Sequence, residues 1–341
     1  MASRGSTTLA TVRFALEDSF GVSEASPTWR YPHCTRLSIT PDHQPIQPRH
    51  FTGDVFLRTP QPGVHTAPGT FDFNVGPENF SWFLAAIFNA NLSSANPTTG
   101  VYQHTMKPGI NVRTFEGQGY QTNGEWWAHG GYIRSATFGL DVNSFLTCSL
   151  DTAFQYAGAL TDGQVPTNPS LSVLDNFSFI GGSAERDDGA VTDMDSFSLR
   201  IEKNFIEFPR FGLQYAGDVV PGKQEVTWEI GMSPATLVEM RRFLGDDTDT
   251  GQQNLSERFD NLKLEWTFQT AQYADDPAVV YPYQLKFTAY TSVYGTWNID
   301  WGSDSELMRN RVPVLVRYNS GQTTDLEAYL VNTLSGAAMI A

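Results

Sequence analysis

The stretch that decides the fold runs from Pro68 to Ala90 and reads PGTFDFNVGPENFSWFLAAIFNA. In its first half Phe71, Phe73 and Val75 alternate with polar residues. Alternation with a period of two predicts a strand that buries one face. Gly76–Pro77 then ends the strand, because proline has no backbone N–H to donate to a ladder.

The second half of the stretch predicts a short amphipathic helix that folds back over the sheet. Glu78 or Asn79 is placed to cap its first turn. Its apolar residues fall at helical spacing and define one face; they are Phe80, Phe83, Leu84, Ile87 and Phe88.

The same order of strand, corner and helix recurs later in the chain. Pro221–Gly222 leads into an alternating strand over Val226–Gly231, and an apolar helical pattern follows over Leu237–Gly245. At a constant offset of 155, four pairs correspond: Phe71 with Val226, Val75 with Ile230, Gly76 with Gly231, and Phe88 with Phe243. Upstream, Gly53–Val55 matches Gly217–Val219 at a different offset, which gives the first copy a longer loop over 56–67.

This recurrence predicts two tandem units. The first, with an N-terminal arm, occupies residues 1–165, and the second, with a linker and an acidic loop, occupies residues 166–341. Only 17% of the 341 residues are charged and 13% are aromatic. A composition that also favours Thr, Val and Gly over helix formers predicts a mainly β fold.

The chain is acidic, with a formal net charge of −15. Residues 1–165 carry 12 acidic and 9 basic residues, against 25 and 13 in residues 166–341, so the excess belongs to the second half. This balance argues against a nucleic-acid-gripping protein. Two widely spaced cysteines, Cys34 and Cys148, favour neither a disulfide framework nor a zinc site. With no apolar signal-peptide core at the N-terminus and no long apolar run, we expect a chain made in a reducing cytoplasm and not in a membrane.

Several further strands and loops are predicted from the local pattern. Alternating segments predict strands over Thr11–Leu16, Leu37–Ile39, Thr52–Leu57, Val101–Met106, Asn111–Phe115, Trp126–Thr137, Leu146–Tyr156, Phe197–Ile201, Leu262–Thr270, Tyr283–Ser292 and Val312–Tyr318. Polar and glycine-rich segments predict loops over Asn89–Gly100, Gly117–Gly124 and Asp246–Leu255. Gly181–Asp195 combines glycine with five acidic residues, and we expect it to be a mobile loop that is disordered in the isolated protein.

The sequence offers no catalytic or metal-binding motif. The six histidines are not at metal-ligand spacing, and each is expected at the surface or in a turn; they are His33, His43, His50, His65, His104 and His129. Asp246–Asp249 begins like a calcium loop but lacks the downstream glycine and glutamate. We therefore predict no catalytic, cofactor-binding or metal-binding residues.

Two aromatic clusters leave an alternative open. Trp126–Trp127 and Trp297–Trp301 are suited to stacking on sugar rings, and Glu125, Asp300 and Asp304 would supply a glycosidase pair. The simpler interpretation is that these tryptophans pack sheets and the carboxylates face water. Asp54 and Asp218 occupy matching positions of the repeat, where they are expected to bond turn amides.

Taken in order, these features resemble the tail tube proteins, or major tail proteins, of long-tailed bacteriophages. The resemblance rests on Glu17–Gly21 before Leu37–Ile39, the stretch from Pro68 to the Leu84–Ile87 helix, Tyr102–Met106, the hairpin strands of Gly131–Ser149, and the strand Phe197–Ile201. It covers most of the chain, and its motifs are signatures of a fold.

What the resemblance implies is a structural virion protein without enzymatic activity or cofactor. Each unit would be a β-sandwich or split barrel with one flanking helix. Six such units would form a ring with a central β-barrel, supplied by three chains as a pseudo-hexamer or by six chains. Rings would stack into the tube through which DNA is ejected, with a tape measure, terminator and baseplate or tip proteins as partners. The alternatives are a virion-surface carbohydrate-binding or adhesin protein and a β-sandwich glycoside hydrolase.

Overall fold

A computed structural model describes residues 11–43, 63–88, 91–121, 124–160, 175–191, 194–232, 262–274, 281–295 and 310–340. Within these ranges the chain is mainly β, with nineteen strands and two short helices. The elements up to residue 160 are β1 (Thr11–Ser19), β2 (Val22–Ser23), β3 (Cys34–Ile39), β4 (Asp42–His43), β5 (His65–Asn74), α1 (Ser81–Phe88), β6 (Asn91–Thr98), β7 (Val101–Lys107), β8 (Phe115–Gln121), β9 (Gly124–Asp141), β10 (Thr147–Phe154) and β11 (Tyr156–Leu160).

The later elements begin with a 3₁₀ turn at Phe179–Gly181. They continue with β12 (Gly182–Arg186), β13 (Gly189–Val191), β14 (Met194–Pro209), β15 (Ala216–Met232), β16 (Leu262–Tyr273), β17 (Pro282–Tyr294), β18 (Asn310–Val316), β19 (Leu326–Asn332) and α2 (Gly336–Ile340). The predicted strands at Thr52–Leu57 and the predicted helix at Leu237–Gly245 lie outside the described residues.

The deciding stretch forms the predicted strand, corner and helix. Phe71 and Phe73 of β5 are fully buried, and the backbone turns at Pro77 before α1 begins at Ser81. At the start of the helix the backbone of Glu78, and not its side chain, makes the hydrogen bonds. The amide and the hydroxyl of Ser81 both donate to the carbonyl oxygen of Glu78, at 3.4 and 2.9 Å.

The prediction that α1 is amphipathic is wrong, because all eight of its side chains are buried. The helix lies between β9 on one side and β7 and α2 on others. A helix with no charged residue can be covered on every side without burying a charge, and SWFLAAIF has none.

The end of β19 closes over the corner that precedes α1. His104 is fully buried, with Nδ1 2.8 Å from the Ser94 hydroxyl and Nε2 3.0 Å from Asn332 Oδ1 and 2.8 Å from the Leu334 carbonyl. Asn332 in turn donates its amide to the Pro77 carbonyl at 3.2 Å. Burial lowers the pKa of His104, so the imidazole is neutral. The hydrogen bonds of His104 and Asn332 join β6 and β7, the end of β19 and the corner at Pro77, which are distant in sequence.

One run of antiparallel strands crosses both halves of the chain. Its hydrogen-bonded order is β3–β5–β10–β9–β14–β15–β18–β17. From β17 the pairing continues to β19, β7 and β6 on one side and to β16, β12 and β13 on the other. The buried side of the run faces a large apolar core, which draws on residues of both halves.

The long strand β9 belongs to two groups of strands. Its first half pairs with β8 and β11, and its second half pairs with β10 and β14. Beyond β8 the pairing reaches β1 and then β2. This bend brings the β1 side chain Phe14 onto the same aromatic core as Phe71 and Phe83, at ring distances of 5.2 and 5.3 Å.

Three predicted loops are strands, and these predictions are wrong. Residues 91–98 form β6, and residues 117–121 belong to β8, where the missing side chain of Gly119 makes room for the Trp126 ring. The Gly181–Asp195 segment forms the β12–β13 hairpin within its described residues. Its turn places Asp187 and Asp188 at positive φ, and β12 pairs with β16 over five residues. The expected disorder is therefore not found there.

Candidate assembly surface

The outward side of the strand run carries mainly polar and charged side chains. One row crosses seven strands in ladder register: Arg36, Asp72, Ser149, Thr137, Arg200, Thr227 and Leu315. The rows on either side of it are Ser38, Thr70, Asp151, Ser135, Glu202 and Glu225, and Asn74, Thr147, Gly139, Ser198, Glu229 and Pro313. We call this surface the polar face. It is continuous across both halves of the chain.

Positive charges on the polar face are matched by carboxylates. Arg134 joins the face through a bulge and bonds Asp151 at 2.8 Å. Arg200 bonds Glu202 at 2.6 Å, and Lys223 bonds Glu225 at 3.1 Å. Arg36 lies opposite Asp72 in the ladder between β3 and β5. Because Arg134, Arg200 and Lys223 already bond carboxylates, a phosphate would have to compete with an existing partner to bind any of these three.

A hairpin arm, residues 203–225, continues β14 and β15 past the neighbours that flank them. The ladder of β9 with β14 ends at Ser135–Glu202, and that of β18 with β15 reaches only to Thr227. One side of the arm packs on the bend of β9 and β10, where Val219 and Phe205 meet Tyr132. The Tyr132 hydroxyl also donates to the Glu207 carboxylate.

The rest of the arm displays apolar side chains to solvent. Ile206 lies opposite Val220 in the ladder, and Phe211 at the tip is fully exposed. The exposed apolar set of the arm is Ile206, Phe208, Phe211, Leu213, Tyr215 and Val220. A patch of this kind marks a surface that binds another protein surface.

A buried lysine stands at the base of the arm. Lys203 donates its Nζ proton to the carbonyl oxygen of Ala86, in the last turn of α1, at 3.0 Å. Burial lowers its pKa to about 7. The contact joins a strand of the second half to the helix of the first.

The residues weighed for chemistry do not converge. His65 and His104 are buried, against the expectation of surface positions, and His50 lies outside the described residues. Asp218 Oδ1 accepts from the Val219 amide at 2.8 Å, within β15 and not in a turn, and Asp54 lies outside the described residues. Among the described residues no group of three or more His, Cys, Asp or Glu side chains is arranged to hold a metal ion.

The candidate sugar platforms are only partly described. Trp126 lies flat over Gly119 against the core, whereas Trp127 lies on the opposite side of β9, with its ring 5.0 Å from Tyr156. Glu125 is buried. The segment Trp297–Trp301, with Asp300, and Asp304 fall outside the described residues. The described part of this prediction therefore shows two adjacent tryptophans that face opposite ways.

A pair of buried carboxylates was missed by the sequence analysis. Glu17 and Glu116 each lie near His129, at 3.6 and 3.4 Å from its Nδ1. Glu17 accepts from the amides of Gly21 and Gly130, and burial raises the pKa of Glu116. The two glutamates are 99 residues apart in the sequence, and the pairing of β1 with β8 brings them together.

The comparison with protein families is decisive. The family model described as "Phage tail tube protein" matches residues 7–274, well over half of the chain. The chain belongs to the phage tail tube protein family. It is a structural protein of the phage tail, and the resemblance inferred from the sequence is confirmed.

The matched region of this tail tube protein contains the hairpin arm and most of the polar face, from β3 to β15. No curated protein matches the chain. No helix in the described ranges is long and apolar enough to cross a membrane. The family match does not say what the polar face and the hairpin arm do. Both are surfaces of the kind through which a protein assembles with other proteins.

Proposed function

We propose that this tail tube protein assembles into rings that stack as the tube, and that the polar face lines the channel through which DNA is ejected. The observation that carries the proposal is the polar face itself. It is a broad, continuous sheet surface of Ser, Thr, Asn and charged side chains, and in its three rows the only apolar side chains are Pro313 and Leu315 of β18. Three of its cations, Arg134, Arg200 and Lys223, are already paired with carboxylates, so it would hold DNA weakly.

Two tandem units in each chain are supported by the order of the strands. The first four strands of the run are β3–β5–β10–β9, and the next four are β14–β15–β18–β17. β3 and β14 precede β5 and β15, which are the two strands that correspond at the offset of 155. In both sets the fourth strand precedes the third in sequence and forms an antiparallel pair with it.

Three chains would then supply six units to a ring. The first unit covers residues 1–165 and the second residues 166–341. Eight wall strands from each chain would continue around a central β-barrel, and heterologous contacts would close the ring. The tape measure, terminator and tip proteins would meet the same tube ends, and the assembled protein would belong to the virion after synthesis in the host cytoplasm.

Electron microscopy of the purified protein tests this proposal. We expect rings or tubes whose averaged images show three chains in each ring, with acidic side chains outnumbering basic ones on the inner wall. Native mass spectrometry of a released ring should give a mass of three 37.8 kDa chains. Six chains per ring, with one half of each chain in the wall, would contradict the tandem arrangement, and a basic wall would contradict the role of the polar face.

The arm supplies the contact between stacked rings. We expect Phe211→Asp to abolish tube formation while the protomer stays folded, because Phe211 is fully exposed in the turn and contributes nothing to the core. Phe145→Asp is the control, since Phe145 is also an exposed phenylalanine and lies outside the arm, at a β-bridge with Ser178. Sedimentation of assembled tubes measures both. Normal tubes from the Phe211 variant would remove the arm from the assembly interface.

A further inference from the structure

The turn between β1 and β2 is fastened to β9 by a buried carboxylate. One oxygen of Glu17 accepts from the Gly21 amide at 3.0 Å, and the other accepts from the Gly130 amide at 2.7 Å. Gly130 has a φ of 62° and lies at the bend of β9. Glu17 therefore ties the turn to the point where β9 passes from its pairing with β8 and β11 to its pairing with β10.

A second carboxylate, Glu116 of β8, reaches the same point from the other side. The residue is only 2% exposed. Its Oε2 accepts from the Ser23 hydroxyl at 2.8 Å, and its Oε1 has no hydrogen-bond partner among the described residues. A buried carboxylate with one unpartnered oxygen is costly to keep ionised. Glu116 therefore favours either a proton of its own or a cation beside it.

His129 of β9 is the group placed to supply that cation. Its Nδ1 lies 3.6 Å from Glu17 Oε1, 3.4 Å from Glu116 Oε2 and 3.1 Å from Ser23 Oγ. Because Ser23 gives its own proton to Glu116, its oxygen accepts from His129, which places a proton on Nδ1. The imidazole side chain is 23% exposed, so it can exchange a second proton with solvent.

Arg13 of β1 is the other charged group that acts on Glu116. Its guanidinium donates to Gln118 Oε1 at 2.5 and 3.0 Å and lies 4.1 Å from the centre of the Trp29 ring. These contacts hold Arg13 away from a direct ion pair with Glu116. The two buried carboxylates consequently depend on a proton within their own cluster for neutralisation.

We propose that Glu17, Glu116 and His129 form a proton-operated clamp, which holds the β1–β2 turn on the bend of β9 while it retains a proton and releases the turn when that proton is lost. A proton on Glu116 removes one carboxylate charge, and a proton on His129 compensates one. Without either proton, two negative charges face each other out of reach of water. Neither the clamp nor its test depends on tube assembly.

The clamp reaches the base of the hairpin arm through the side chain of Phe20. The Phe20 ring of the turn lies 6.4 Å from Tyr132, and the Tyr132 ring lies 5.0 Å from Phe205 of the arm. Phe20 and Phe205 pack on the same small apolar cluster, which includes Val219 of the arm. Release of the turn therefore removes part of the packing that supports the arm.

The direction of the pH dependence follows from Glu116. Burial raises the pKa of this carboxyl above its ordinary value of 4.5, and the nearby Glu17 charge adds to the effect of burial. Between the ordinary and the raised value the folded chain binds more protons than the unfolded chain. The contribution of the clamp to stability is therefore complete at low pH and falls as the pH rises.

Hydrogen exchange at the two glycine amides that Glu17 accepts from tests the clamp directly. On unassembled protein with nitrogen-labelled glycine, nuclear magnetic resonance follows Gly21 and Gly130 separately. We expect their protection from exchange to fall about tenfold or more from about pH 5 to about pH 9. Gly139, in the ladders of β9 with β10 and β14, is the internal control and should keep its protection.

Three variants separate the clamp from a purely structural turn. Glu116→Gln keeps an acceptor for Ser23 but cannot ionise, so Gly21 and Gly130 should stay protected over the whole range. Asp18→Asn is the matched control, because Asp18 is an exposed carboxylate next to Glu17 and should leave the fall unchanged. His129→Gln should move the fall to lower pH, since Glu116 alone then holds the proton.

Wild-type protection that stays constant relative to Gly139 would overturn the clamp, and this measurement needs no variant to fold. A fall that persists unchanged in Glu116→Gln would assign the release to another group and would also overturn it. A fall at the same pH in His129→Gln would contradict the place of His129 in the cluster.

Discussion

Replacing Phe83 with alanine should lower the free energy of unfolding by about 3–5 kcal/mol, the usual cost of truncating a buried phenylalanine. Phe83 is fully buried at the centre of α1. Its ring lies 3.9 to 6.2 Å from five other aromatic rings, those of Phe14, Phe73, Phe80, Trp82 and Phe115. These rings come from four separate elements and the corner, so the surroundings cannot collapse into the cavity by moving one segment.

Urea unfolding of the unassembled protein measures the effect. Phe145→Ala is the control, because that side chain is exposed and its loss should change stability by no more than about 0.5 kcal/mol. A loss below about 1 kcal/mol for the Phe83 variant would show that α1 is not enclosed as the structure places it.

Helix α1 shows which structural features a local sequence pattern can predict. The strand, the corner and the helix were all predictable, because period-two alternation and a Gly–Pro break are read within a few residues. The covering of the helix was not read from periodicity, although the absence of any charged residue in SWFLAAIF was a signal for it. What covers it is distant in sequence, since α2 is the last described element and β7 is held in place by β19.

The assembly surface was harder to predict than the fold. The strands of the polar face alternate clearly, yet their order in the sheet depends on non-local pairs such as β9 with β14. The arm had a local signal that went unused, because residues 205–215 read FIEFPRFGLQY, an unusually apolar sequence for a turn. For Gly181–Asp195 the acidic composition led to a wrong prediction of disorder. Aspartate adopts positive φ more readily than most residues, and Asp187 and Asp188 do so in the turn of the β12–β13 hairpin.

Replacing Lys203 with methionine should stabilise the protein near neutral pH and lose that advantage as the pH rises. Lys203 is buried with a pKa lowered to about 7, because the protonated amine is poorly solvated there. In the unfolded chain the same amine keeps the ordinary lysine value of 10.5. Between these values the unfolded state binds more protons than the folded state, so stability should rise with pH by up to about 1.4 kcal/mol per unit.

Below pH 7 both states are protonated, and the whole penalty of burying the charge remains in the folded protein. Above about pH 10.5 both states are neutral, and the penalty is gone. Methionine has nearly the same shape and no charge to bury, but it leaves the Ala86 carbonyl without its donor, at a cost of about 1 kcal/mol. The variant should therefore be more stable than the wild type by on the order of 3 kcal/mol at pH 7 and slightly less stable above pH 10.5.

The measurement is the difference in unfolding free energy between wild type and variant across pH 6 to 11, on unassembled protein. Lys223→Met is the matched control, because Lys223 lies on the same arm with its side chain exposed and should give a difference that does not follow this window. A Lys203 difference that stays constant from pH 7 to 10 would contradict the buried, neutral amine. A change of sign in this difference between pH 7 and pH 11 would show that protonation of Lys203 alone changes the stability of the contact between the arm and α1.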